Sequence, residues 1–156
     1  MSSRQPQYYG YAELADRIAA VLGVRPSLSL LRGAAAEARR RDQRQGLRRG
    51  RPSITTGMPH PRPSTRRPAT FDPLEVETWL AGHPALAWDQ ALQTARDRLA
   101  DGQDVEDVVS AALQAGISWS ALTELINAHQ HTSWTKAWVH RRYRHLEPAR
   151  PTPPAR

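Results

Sequence analysis

Between Gly46 and Thr70 the chain packs three glycines, five prolines and six arginines, and helical periodicity disappears. This break constrains the fold most. It reads as a loop or a small β-hairpin set between helical segments. The residues just after it are the best-specified local structure in the chain. Asp72 is an N-cap residue, Pro73 sits at the first helical position, and Glu75 completes a capping box. Phe71 and Val76 hold the two positions of a hydrophobic staple. The short helix LEVETWLA then stops at Gly82, with Pro84 just beyond.

Helical spacing also marks the residues before the break. Leu14, Ile18, Val21 and Leu22 share one face of a helix over Tyr11–Leu22, and Gly23 stands at its C-terminal cap position. A tight link, Gly-Val-Arg-Pro, leads to Ser27, a good N-cap. The next helix runs to about Gln45, with Leu31, Ala35 and Ala38 aligned and Arg32, Arg39, Arg40 and Arg41 around the rest. The second half reads as helices throughout. Trp88, Ala91, Leu92, Ala95 and Leu99 mark the first of them. Asp104 caps the next, Ser118 a third, and Thr132 or Ser133 the last, which runs to about Leu146. The expected class is therefore mainly α, with one small β element.

Cysteine is absent, which excludes disulfides, thiolate zinc sites and a cysteine nucleophile. No apolar stretch is long enough to span a membrane, and the opening MSSRQPQYYGY lacks the apolar core of a signal peptide. The expectation is a soluble protein of the cytoplasm, associated with the nucleoid. Its net charge of +7 is almost wholly arginine, since Lys136 is the only lysine. Position says more than the total. Residues 25–67 hold twelve arginines against Glu37 and Asp42, whereas residues 72–107 hold nine acids against Arg96 and Arg98. Residues 136–156 return to six basic groups against Glu147. Clustered arginine of this kind is the electrostatic footprint of a polyanion partner.

The order of helix, tight turn, Arg-rich helix, Pro/Arg-rich segment and capped helix resembles the winged helix-turn-helix of the excisionase and MerR-like DNA-binding families. The segments that carry the resemblance are YYGYAELADRIAAVLGV, GMPHP and FDPLEVETWLAGHP, within residues 8–84. The chain departs from the pattern at Gly10 and Tyr11, where family members usually have Ser or Thr, and in a longer stretch before GMPHP. The resemblance implies a second helix in the major groove and a β-hairpin wing on the neighbouring backbone or minor groove. On that footing Arg25, Ser27, Ser29 and Arg32 are the candidates for base contact. Arg39, Arg40 and Arg41 are the candidates for phosphate, and Arg62, Arg66 and Arg67 for the wing.

A weaker helix-turn-helix resemblance covers residues 104–146, carried by AGISWSALTELI and HTSWTKAWVHRRYRHL. On a helical wheel Lys136, His140, Arg141 and Arg144 share one side, opposite Trp134, Trp138, Val139 and Leu146. Arg142 falls among the apolar positions, where it would snorkel or pair with an acid. Two readings stay open for this half: a second DNA contact, or packing and dimerisation. The tryptophans are spaced as core residues and not as a base-stacking platform. His129 and His131 are expected in a connecting turn, not in a metal site, because no cysteine or matched carboxylate spacing supports one. No phosphate-binding glycine loop or serine nucleophile motif is present, so neither an enzyme nor a small-molecule substrate is expected, and no cofactor.

The resulting organisation is a disordered segment at 1–7, a winged helix-turn-helix domain at 8–84, a helical domain at 85–146 and a disordered tail at 147–156. The expected partner is double-stranded DNA, bound by a homodimer or cooperatively. A transcriptional regulator is the leading reading, with a recombination directionality factor of a mobile element as its alternative. A protein-interaction adaptor is the rival from another class.

Overall fold

The computed structural model describes residues 8–38, 50–62 and 68–149. The described residues fall into two compact units, one of residues 8–38, 52–62 and 68–86, the other of residues 50–51 and 87–149. The helices in chain order are α1 (Tyr11–Leu22), α2 (Leu28–Ala38), α3 (Pro73–Ala81), α4 (Pro84–Ala100), α5 (Val105–Gln114), α6 (Trp119–Gln130) and α7 (Lys136–Tyr143). A 3₁₀ turn at Arg144–Leu146 follows. Among the described residues no helix is long and apolar enough to cross a membrane.

In the first unit, local chemistry fixes each helix end. The Glu13 carboxylate accepts the Gly10 N–H at 3.0 Å, satisfying a donor at the start of α1. Gly23 ends that helix at φ +74°, a left-handed conformation in which its N–H reaches back to the Ala19 carbonyl. Pro26 is buried beneath the turn, and the Ser27 hydroxyl accepts the Leu30 N–H at 3.1 Å to start α2. Asp72 caps α3 by accepting from the Leu74 N–H at 2.8 Å, with Pro73 at the first position. The three helices then close on one core. Leu14, Ala15, Ile18 and Leu22 from α1 meet Leu31 and Ala35 from α2 and Val76 and Leu80 from α3. Phe71, fully buried, sits in the middle, its ring edge-on to Tyr11.

Among the described residues the expected β-hairpin wing does not form. No strand or sheet is present there. Pairing is limited to two isolated antiparallel bridges, Arg62 with Thr70 and Tyr9 with Phe71. The segment around Arg62 is rich in proline, with Pro59, Pro61 and Pro68 close to the bridge, and proline is a poor strand former. The segment is instead held by single bonds, such as the Trp79 Nε1–H to the Thr56 carbonyl at 2.8 Å. The mainly α class stands; its β component falls away.

The second unit is built from the α4 residues beyond Leu86, α5, α6 and α7 around a separate core of Leu99, Val108, Val109, Leu113, Ile117, Leu122, Ile126, Val139 and Tyr143. The Asp104 carboxylate accepts the Glu106 and Asp107 N–H groups at the start of α5. Gly116 turns the chain at φ +83°, and Ser118 caps α6 through the Ala121 N–H. The last cap differs from the sequence expectation, being Thr135 and not Thr132 or Ser133. Asn127 explains the shift. Its side chain accepts from the Thr132 hydroxyl (2.8 Å) and the Trp134 N–H (2.9 Å) and donates to the Trp134 carbonyl (2.9 Å). Residues 132–134 are thereby committed to a non-helical connection.

Candidate nucleic-acid interface

The α1–turn–α2 pair brings some of the sequence candidates to one surface and withdraws others from it. α2 buries Leu31 and Ala35 and leaves Leu28, Ser29, Leu30, Arg32, Gly33, Ala36 and Glu37 exposed. Ser29 thus projects outward. Arg32 does too, its guanidinium 5.8 Å above the Tyr11 ring and paired to no carboxylate among the described residues. Around it Ser29, Gly33 and Ala36 are short, while Leu28, one turn before it, is an exposed apolar side chain.

Two base-contact candidates have other work. The Arg25 guanidinium lies on Asp16, with Nε and Nη2 donating to Oδ1 at 2.9 and 2.7 Å. Both side chains are exposed, so the pair is screened but still spends part of the arginine's charge. The Ser27 hydroxyl is already occupied as the cap of α2. Arg62 is the most engaged of all: it donates to the Tyr8 hydroxyl at 3.0 Å, pairs with Asp72 at 3.2 Å and stacks 4.5 Å above the Tyr8 ring. Such an arginine secures its own unit. Arg39, Arg40, Arg41, Arg66 and Arg67 lie outside the described residues.

In the second unit, α7 buries Val139 and Tyr143 and exposes Lys136, Trp138, Arg141 and Arg142, with Arg144 exposed in the turn that follows. His140 separates from the other candidates. Its ring stands edge-on to Trp119 at 5.0 Å, and its Nε2 lies 3.7 Å from the Glu147 carboxylate, which also accepts the Trp119 Nε1–H. Arg142 is exposed and, among the described residues, meets no acid; its guanidinium lies 5.9 Å from the Tyr143 ring.

Sequence reasoning placed Trp138 in the core, yet the side chain is 40% exposed. It rests on Trp134, with ring centroids 3.9 Å apart and planes tilted by 35°. Val139 and Tyr143 take the inward positions of α7, which turns Trp138 out. His131, in the His-Gln-His run, is the C-cap of α6 in a left-handed conformation. Among the described residues no group of three His, Asp or Glu side chains converges in a way that could hold a metal ion. No family model, curated protein or solved structure matches this chain.

Proposed function

We propose that this chain is a sequence-specific double-stranded-DNA-binding protein that regulates transcription, with α2 as its base-reading helix. One observation carries the reading: α2 exposes an arginine that meets no carboxylate among the described residues, beside Ser29, Gly33 and Ala36 and directly after a tight, glycine-terminated turn. Arginine reads guanine through paired hydrogen bonds in the major groove, which admits an α-helix. Exposed Leu28 supplies the apolar contact that a thymine methyl accepts. The resemblance of the helical segments to excisionase and MerR-like proteins adds support, as does the arginine-rich sequence that follows Ala38.

A second reading has one observation in its favour. Val24, Leu28 and Leu30 are 50%, 38% and 46% exposed, an apolar border that would also suit an acidic protein partner. Titration against fragments of the upstream region and a scrambled control decides between them. A DNA reader binds one fragment at least about a thousandfold more tightly than the control. Arg32→Ala then lowers that preference by about 5- to 150-fold, the worth of one bidentate base contact of about 1–3 kcal/mol. Equal, weak binding to both fragments sinks the DNA-reader reading and leaves the adaptor.

A further inference from the structure

Four arginines among the described residues give much of their charge to a carboxylate of their own chain: Arg17 to Glu77, Arg25 to Asp16, Arg51 to Asp89 and Arg62 to Asp72. The cations of α7 and its 3₁₀ turn do not. Lys136, Arg141, Arg142 and Arg144 are exposed, and among the described residues none meets an acid. Unspent positive charge in the second unit is thus densest on this element, the remaining described arginines, Arg96 and Arg98 of α4, being bonded to Gln93 and Gln103. In its midst stands Trp138. Arg141 and Arg142 follow it at three and four residues, the spacing that puts side chains on the same side of a helix. The ring beneath, Trp134, has both its backbone N–H and its carbonyl bonded to Asn127, so the stacked pair has a fixed base.

We propose that α7 binds single-stranded nucleic acid, with Trp138 stacking on an unpaired base while Arg141 and Arg142 hold the flanking phosphates. A cationic surface alone would suit any polyanion. The exposed indole narrows the choice, because it offers a flat π face that only an unstacked base can cover. In a duplex the base faces already cover one another, and the indole would gain nothing. An acidic peptide would use the arginines but has no partner for the ring. The site is independent of the α2 reading, and either can fail alone.

The test uses the full-length protein and an oligo-dT strand, read by tryptophan fluorescence. Wild type is expected to show more quenching than Trp138→Phe, in which the four other tryptophans, Trp134 among them, supply the remaining signal. Trp138→Phe keeps most of the affinity, since phenylalanine still stacks, while Trp138→Ala loses about 5- to 150-fold. Circular dichroism of the two variants shows whether α7 survives; Phe at 138 keeps the test valid if Ala disturbs the fold. Arg141→Ala with Arg142→Ala lowers the slope of log affinity against log salt by about 1.4, the share of two phosphates on a single strand. Arg32→Ala changes none of these values. The proposal is overturned if Trp138→Ala binds oligo-dT as wild type does. It is equally overturned if a scrambled duplex quenches Trp138 as strongly as the single strand, or if anionic lipid vesicles quench it and oligo-dT does not.

Discussion

Glu77 sits under three donors: Arg17 Nε at 2.7 Å, Arg17 Nη2 at 2.6 Å and the Tyr9 hydroxyl at 3.3 Å. The hydrogen bonds from Arg17 hold its carboxyl below the usual carboxylate range, against an opposing push from burial. Burial first, then the negative charge of Glu77, raises the Tyr9 hydroxyl, which keeps it a donor. A carboxylate with a lowered folded pKa stabilises fully above its unfolded value, about 4.3. That contribution is lost as pH falls from there through the folded value. The melting temperature of wild type should therefore drop on acidification below about pH 4.3 more steeply than that of Glu77→Gln, as thermal scans across pH would register. Both partners are about 40% exposed, so the effect is modest. Phe71→Ala is the severe counterpart. Removing a ring with no exposed surface from the centre of the first core should cost about 3–5 kcal/mol in a urea titration. Residue-scale roles were the least legible in the sequence. Nothing in a helical wheel shows that Asp16 will meet Arg25 across a turn, or that Asp72 and Tyr8 will claim Arg62, because those partners are chosen by the fold.

Elements were more legible where their ends depend on neighbours in the chain. Asp72, Asp104 and Ser118 cap as their local sequence requires, and Gly23 ends α1 for the same kind of reason. Gly23→Ala would force a side chain into left-handed backbone at φ +74° and should cost about 1 kcal/mol, visible as a lower denaturation midpoint. His131 is the reverse case. It holds φ +53° without being glycine, so His131→Gly should raise stability by up to about 1 kcal/mol in the same assay. Illegibility began where an element answers to something distant. The cap at Thr135 follows from Asn127 on the previous helix, and the wing inferred from resemblance fell on a proline-rich segment that forms no strand among the described residues. The outward turn of Trp138 belongs here too, because it depends on Val139 and Tyr143 being the residues that α7 packs inward.

At the scale of the whole molecule, the sorting of charge along the chain was plain in the sequence, but its availability was not. Four of the ten arginines in the described residues face a carboxylate of their own chain, so binding to a polyanion should involve fewer contacts than the chain's 22 basic side chains suggest. The two cores also divide the chain unevenly. Gly50 and Arg51 belong to the second unit although residues on both sides of them belong to the first. Arg51 grips Asp89 with two hydrogen bonds of 2.8 Å, and the Gly50 N–H reaches the Gly116 carbonyl at 3.3 Å. Arg51→Ala should lower stability by no more than about 1 kcal/mol, because the pair is partly solvated, and chemical denaturation would detect it. Dissection of the gene feels the same thread. A truncation after Leu86 does not yield two whole pieces: the carboxyl-terminal fragment starts life without the strand of backbone that closes over Gly116, and Asp89 is left with no guanidinium to hold. An experimenter seeking the second unit alone would have to supply that missing dipeptide in trans or splice it back by circular permutation.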